Sequence, residues 1–178
     1  WGDSVDVRSE LSGMLGEFHS KRVLDVGCGP GVHLSELADG NLRVGIDDTL
    51  DRLRTARGLC TNGAFVCGDM FHPPLRDGSF DVVVGNPPFG RLGEILPHQT
   101  ALEQIEQFGV WQAGRKINKA GVSKVKKDSI AIELLFVERA LQLLKPGGLV
   151  AFIMPEGFFA NKRLQAARDL VLEQAEVL

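Results

Sequence analysis

Between Phe80 and Gly90 the chain reads Phe-Asp-Val-Val-Val-Gly-Asn-Pro-Pro-Phe-Gly, and its second half carries groups suited to chemistry on an amino group. The Asn86 side-chain carbonyl and the Pro87 backbone carbonyl are two acceptors that can converge on one amine. The prolines fix φ and remove two amide donors, so these acceptors face no competition from neighbouring backbone N–H groups. Phe89 adds a flat apolar face on which a ring can stack. The residues before the loop, Asp81 to Gly85, are short, β-branched and closed by glycine, which predicts a buried strand that delivers the loop. Without a ligand the same residues would be a plain strand exit.

A second constellation lies upstream. Lys21 to Val26 predicts another apolar strand, and Gly27-Cys28-Gly29-Pro30-Gly31 opens the helical stretch Val32 to Ala38. Glycines in a β-to-α turn let the backbone approach a ligand closely, and the following helix points its first amides at the same place. A dinucleotide loop would space its glycines Gly-x-Gly-x-x-Gly. Here the spacing is Gly27-x-Gly29-x-Gly31, with Asp25 two residues before the first glycine. A carboxylate there repels a pyrophosphate and attracts an ammonium, which points to S-adenosylmethionine rather than a nicotinamide dinucleotide.

The next elements fit this reading. A strand from Leu42 to Ile46 ends in Asp47-Asp48, where a carboxylate can accept two ribose hydroxyls. One of the pair is also a candidate cap for a helix over Thr49 to Leu59. A third strand, Ala64 to Cys67, leads into Gly68-Asp69-Met70-Phe71. Asp69 is a candidate acceptor for an adenine amino group, with Met70 and Phe71 walling the ring. Downstream, Ile130 to Leu144 reads as a helix stopped by Pro146-Gly147-Gly148, Leu149 to Met154 as a fifth strand, and 161–174 as a last amphipathic helix. The N-terminal twenty residues carry a weak helical pattern through Val7, Leu11, Leu15 and Phe18.

Strands alternating with helices predict an α/β fold, a doubly wound and mostly parallel sheet that binds ligands at the carboxyl ends of its strands. With 178 residues, 44% of them hydrophobic, the expectation is one domain over 1–178. The segment from about 90 to 128 reads as an insertion into it. That insertion carries Arg91, Arg115, Lys116, Lys119, Lys124, Lys126 and Lys127 around Trp111, a pattern suited to phosphate contacts or to a solvated loop. The net charge of −3 offers no global attraction for nucleic acid, so such contacts would be local. Cys28, Cys60 and Cys67 form no CxxC pair, and the first residues do not resemble a signal peptide, which suggests a reducing, cytoplasmic setting. No apolar run reaches bilayer length, so no membrane association is expected. No metal-ligand spacing stands out.

Taken together, these residues resemble the class I S-adenosylmethionine-dependent methyltransferases over essentially the whole chain, implying a Rossmann-like methyltransferase fold. Asn86-Pro87-Pro88-Phe89 resembles the catalytic motif of the amino-methyltransferases. Ser129, Glu133, Lys145-Pro146-Gly147-Gly148, Phe152-Ile153-Met154-Pro155 and Phe158-Phe159 resemble DNA adenine methylases of restriction-modification systems, including type I modification subunits. The resemblance implies that Asp25, Gly27 and Gly29, with Cys28 and Gly31 of the same loop, hold the methionine part of the cofactor. It places Asp47, or its neighbour Asp48, on the ribose, Asp69 and Met70 on the adenine, and Asn86 to Phe89 on the target base. The implied reaction is methyl transfer to the 6-amino group of adenine in DNA. An RNA amine, a protein glutamine amide and a non-catalytic cofactor-binding module are the alternatives. Only 54 residues separate Gly31 from Asn86. Target recognition is therefore expected to follow the catalytic domain or to sit on a separate specificity subunit. The family's sheet has seven strands where five and a stub are countable here, and a fragment of a larger protein is expected. The Thr-Pro or Ser-Pro signature often found before the first strand of such enzymes is absent.

Overall fold

A computed structural model of the chain describes residues 7–90, 108–109, 131–160 and 165–176. Its elements in order are α1 (Val7–Glu17), β1 (Arg22–Val26), α2 (Val32–Glu36), β2 (Leu42–Asp47), α3 (Leu50–Leu59), β3 (Gly63–Cys67) and β4 (Phe80–Gly85). They are followed by α4 (Ile132–Leu143), β5 (Leu144–Phe152), α5 (Glu156–Ala160) and α6 (Gln165–Leu172). The described residues fall into two compact units, 1–86 with 143–153, and 87–142 with 154–178.

The first unit is built on a five-stranded sheet of order β3-β2-β1-β4-β5, in which every pairing is parallel. Parallel strands need crossovers and are covered on their faces, which is why β1, β2 and β4 are near-continuous apolar runs rather than alternating ones. Val23, Val82 and Val84 meet Leu11 and Leu15 of α1, Leu34 of α2, and Leu37 and Cys60 in one cluster. Chain order reverses between β1 and β4, with β2 and β3 lying to one side and β5 to the other. In open α/β sheets the ligand crevice forms outside the carboxyl ends at this reversal.

The opposite end of the sheet is braced by polar side chains. Asp81 of β4 accepts the Arg22 amide at 2.8 Å and the Lys145 ammonium at 2.7 Å, joining three neighbouring strands. Hydrogen bonding to Lys145 and to the Arg22 amide holds the Asp81 carboxyl below the usual range. Asn41 ties the Lys21 amide to the Phe18 and Ala38 carbonyls, and buried Arg43 bonds the Leu37 carbonyl.

Two expected boundaries change. Pro146-Gly147-Gly148 is not a gap between helix and strand, because β5 starts at Leu144, directly after α4, and runs through it. Leu144 pairs with Phe80 and Leu149 with Val82, so the extra residues bulge out of register. Gly147, at φ 74°, allows this bend, and the Lys145 bond to Asp81 anchors it. The strand ends at Phe152 rather than Met154. Second, Pro155-Glu156-Gly157 does not simply end the strand but opens the short helix α5, a turn the expected helix over 161–174 omitted. Of that expected helix, Gln165 to Leu172 is helical, and 161–164 lie outside the described residues. Ile130 and the stub at Val177 and Leu178 also lie outside them.

In the second unit, Ile132, Leu134, Leu135, Phe136, Val137 and Ala140 of α4 are buried. The Arg139 guanidinium lies 5.1 Å from the Phe108 ring centroid, and Glu138 accepts the Gly109 amide. Phe158 and Phe159 pack edge to face at 5.2 Å, and Arg168 donates to the Phe158 carbonyl. All seven basic residues of the expected insertion lie outside the described residues. Among the described residues no helix is long and apolar enough to cross a membrane.

Candidate functional site

Asp25 is the fourth residue of β1, and its side chain is completely buried. Neither carboxylate oxygen has a hydrogen-bond donor in good geometry, and His33 Nδ1 lies 3.3 Å from Oδ2. Burial pushes the Asp25 carboxyl above its ordinary value; His33 opposes this, and the Asp47 charge adds to it. Folding a chain around an unsatisfied carboxylate is costly, so such a group signals a cationic partner that arrives later.

The glycine loop follows directly. Gly27, Gly29 and Gly31 have φ of 73°, 50° and 80°, values that residues with a Cβ rarely adopt. The amides of Gly27 and Cys28 both donate to the Ile46 carbonyl, at 2.9 and 3.0 Å, which seats the loop on the end of β2. Gly31 answers a packing demand as well: a Cβ there would stand 2.9 Å from Ala56 Cβ and 3.2 Å from Ala56 Cα. Cys28 differs from the sequence reading, for its side chain is buried, and a Cβ on Gly45 would meet its Sγ at 2.7 Å. Burial, with the nearby Asp25 and Asp47 charges, pushes its thiol up to about 12. The thiol is neutral and packs on β2, which leaves only the Cys28 backbone to face a ligand.

Asp47 ends β2 and is buried. Its Oδ2 accepts the Gly29 amide and its Oδ1 the Thr49 amide, each at 2.9 Å. Each oxygen keeps a lone pair, so the group can brace the loop and still accept hydroxyl donors. Asp48 is exposed and bonded to the Thr49 hydroxyl. Thr49 is the residue capping α3, with no side-chain cap bond, so the expected capping role of the acidic pair is not realised. Asp47→Ala is expected to weaken S-adenosylmethionine binding by about 1.5 to 3 kcal/mol, from lost charge-assisted bonds and a loosened Gly29, as measured by calorimetry. Unchanged affinity would remove Asp47 from the site.

Met70 comes to the loop from β3's side, its Sδ placed 3.4 Å from where a Gly27 Cβ would be. Asp69 is half-exposed, with Oδ1 on the Phe71 amide and Oδ2 2.9 Å from His72 Nδ1. Phe71 does not wall a ring as expected. It is 5% exposed and belongs to the core.

Asn86 follows β4 at the reversal of strand order. Val26 pairs with Gly85 across β1 and β4, so Gly27 and Asn86 leave adjacent strands side by side. Strand spacing in a sheet is about 4.8 Å, which puts the glycine loop and the Asn86 acceptor in one crevice. Gly85 makes this possible, since a Cβ there would meet the Val26 carbonyl oxygen at 2.7 Å and the Phe152 ring at 3.2 Å. Its own carbonyl accepts the Ile153 amide. Asn86 is exposed. In the second unit Pro87 is buried, Pro88 is exposed, Phe89 is 48% exposed, and the Gly90 carbonyl accepts the Ile132 amide at 3.0 Å. Gly45, Gly85 and His33 were not singled out from sequence. An ionisable residue in the first turn after a glycine loop is the signal that could have found His33.

The donor set fits S-adenosylmethionine. A buried carboxylate that accepts no hydrogen bond suits its ammonium, three left-handed glycines leave room for its amino-acid end, and a second carboxylate stands at the end of β2. Among the described residues no group of His, Cys, Asp and Glu could hold a metal ion.

A family model described as Eco57I restriction-modification methylase matches residues 46–178, a span that contains Asn86 to Phe89. The ribosomal RNA small subunit methyltransferase C of Klebsiella pneumoniae is 37% identical over 134 residues, 69% of this chain and 36% of that protein. The type II methyltransferase M.PaeR7I of Pseudomonas aeruginosa is 31% identical over 107 residues, 60% of this chain and 16% of its own length. The chain thus spans about a third or less of these relatives. Among solved structures, a class I S-adenosylmethionine-dependent methyltransferase of Listeria monocytogenes, described as putative, superposes with a TM-score of 0.67. It covers 97% of this chain and 54% of its own at 17% identity, a likeness of fold. The Rossmann-like architecture, the glycine loop and the match over three quarters of the residues agree: this chain belongs to the Eco57I restriction-modification methylase family, whose cofactor is S-adenosylmethionine.

Proposed function

We propose that this chain is the catalytic part of an S-adenosylmethionine-dependent N-methyltransferase acting on the 6-amino group of adenine in DNA. The observation that carries this is the exit of Gly27 and Asn86 from paired positions of β1 and β4. Within the first unit it brings Asn86 beside the glycine loop, which supports reading the two as parts of one site. The family match across Asn86 to Phe89 supports DNA as the substrate.

The bound cofactor supplies an electrophilic methyl group on a sulfonium. Asp25 would hold its ammonium, Asp47 its ribose hydroxyls, and Asp69 with Met70 its adenine. An adenine inside a duplex cannot present its amino group, so the base is expected to be extruded and to stack on Phe89. The amino lone pair is delocalised into the ring. The Asn86 Oδ1 and Pro87 carbonyl, accepting the two amino protons, would favour the pyramidal nitrogen whose lone pair can attack. Holding that nitrogen in line does most of the work.

A second reading, methylation of an exocyclic amine in RNA, is favoured by the 37% identity to a ribosomal RNA methyltransferase. Incubation of the complete protein with methyl-labelled S-adenosylmethionine and separate DNA, RNA and protein pools tests both. Label in DNA adenine is expected. Label in RNA or on protein glutamine replaces the substrate, and cofactor binding without label anywhere makes the chain a non-catalytic module. Target selection is assigned to a region beyond this domain or to a specificity subunit. The chain alone is accordingly expected to bind duplex DNA weakly and steeply with salt, through the basic residues between 115 and 127. Tight binding to one sequence at physiological salt in a gel-shift assay would refute this.

A further inference from the structure

Asn86 is exposed, and among the described residues no hydrogen bond holds its side chain. Its placement is left to the backbone before it, which is Gly85, the residue type with the widest conformational freedom. Gly85 lies outside the left-handed region, so space rather than φ demands glycine here: a Cβ would meet the Val26 carbonyl oxygen at 2.7 Å. Phe152, the last residue of β5 and the register partner of Gly85, closes that space from the other side. Its ring atoms Cε1 and Cδ1 stand 3.2 and 3.6 Å from where the Cβ would be. The next residue adds a backbone tie, for the Ile153 amide donates to the Gly85 carbonyl at 3.1 Å. That carbonyl shares a planar peptide group with the Asn86 nitrogen, so its direction sets the plane from which Asn86 departs. Val26, Gly85, Asn86, Phe152 and Ile153 all belong to the first unit.

We propose that Phe152 is a positioning residue for Asn86, its ring standing in for the Cβ that Gly85 lacks and holding the Gly85–Asn86 peptide in the orientation that presents the Asn86 carbonyl to the target amine. The inference rests on the reading of Asn86 as an acceptor for that amine. One hydrogen bond from Ile153 fixes a single point of the peptide and leaves it free to rock about that point. The ring contact supplies the second point. Without it the acceptor drifts, and a displacement of about 1 Å is enough to cost about 10²-fold in rate. Capture of the base and of the cofactor draws on other groups, Phe89, Asp25 and Asp47, so the loss falls on turnover and spares binding.

The test is methyl transfer by the complete protein from methyl-labelled S-adenosylmethionine to duplex DNA lacking N6-methyladenine. Phe152→Ala is expected to lower kcat by about 10- to 10²-fold, with KM for DNA and affinity for S-adenosylhomocysteine changed by less than about twofold. Phe152→Tyr keeps the ring and should retain most of the turnover. Because the ring acts through Asn86, the two losses should not add: in an Asn86→Ala background, Phe152→Ala should lower turnover by less than about twofold more. A ring that merely supports the sheet would cost the double variant as much as the single one, and that result overturns the proposal, as does a normal kcat in Phe152→Ala or a loss confined to KM. If Phe152→Ala does not fold, Phe152→Leu keeps most of the apolar volume without the flat ring and takes its place in the same cycle, with an expected loss of about three- to tenfold. No transfer by the unaltered protein, or near-normal turnover in Asn86→Ala, would overturn the reading of the loop and this proposal with it. A large loss in Asn86→Ala with additive effects overturns the proposal alone.

Discussion

Replacing Asn86 with alanine is expected to lower turnover of the complete enzyme by about 10²- to 10³-fold, the loss that follows removal of one preorganised transition-state hydrogen bond. Asn86 stands one residue beyond Gly85, whose tight seat between the Val26 carbonyl and the Phe152 ring fixes where the side chain emerges. With the amide gone, the Pro87 carbonyl alone holds the amino group, and the nitrogen stays closer to planar. Cofactor affinity should barely change, because Asp25, Asp47 and the glycine loop are untouched. Phe89→Ala should act on a different step. The ring is half exposed and offers stacking worth about 1 to 3 kcal/mol, so its loss weakens capture of the base and leaves activity at high substrate. Single-turnover methyl transfer separates the two. Near-normal turnover in Asn86→Ala would make the loop a structural turn and end the proposed mechanism.

What could be read from the sequence was what local chemistry controls. β1 and β4 are apolar runs closed by glycine, and a parallel strand buried on both faces has to be such a run. The glycine loop announced itself through residues that φ near 50° to 80° demands. Where the reading went astray, a distant partner decided the outcome. Pro146-Gly147-Gly148 has the composition of a stop, yet Lys145 reaches Asp81 across 64 residues and Leu144 pairs with Phe80, so the segment becomes a bulged strand. Phe71 has the look of a wall for a flat ring, but it is buried in the core. Whether Gly31 serves ligand approach or helix packing was likewise invisible until Ala56 of α3 was placed against it. The state of Asp25 belongs to the same class. An acid two residues before the first glycine is legible, but its lack of any amide donor is a property of the fold.

That lack leads to a result opposite in sign for stability and for binding. Asp25→Asn is expected to make the cofactor-free chain more stable at neutral pH while weakening S-adenosylmethionine binding by about 1.5 to 3 kcal/mol, the worth of a hydrogen bond to a charged group. Burial raises the Asp25 carboxyl in the folded chain above its unfolded value. Between those two values the folded state binds more protons than the unfolded state, so stability falls as pH rises through that window, and the full cost stands above it. Asparagine has no charge to bury, so it avoids this cost, although its amide still finds few partners. For a chain of this size a gain of about 1 kcal/mol raises the melting temperature by about 2 to 4 °C. The advantage of the variant should shrink as pH falls toward the ordinary carboxylate range near 4, below which the native side chain is protonated in both states. Thermal melts of both proteins from pH 4 to pH 8, without cofactor and with saturating S-adenosylhomocysteine, check both halves. Added ligand should raise the melting temperature of the native chain well above its effect on Asp25→Asn. If the variant were less stable at pH 7 and its deficit grew with pH, the carboxylate would be satisfied within the fold, and the proposed ammonium site would lose its support.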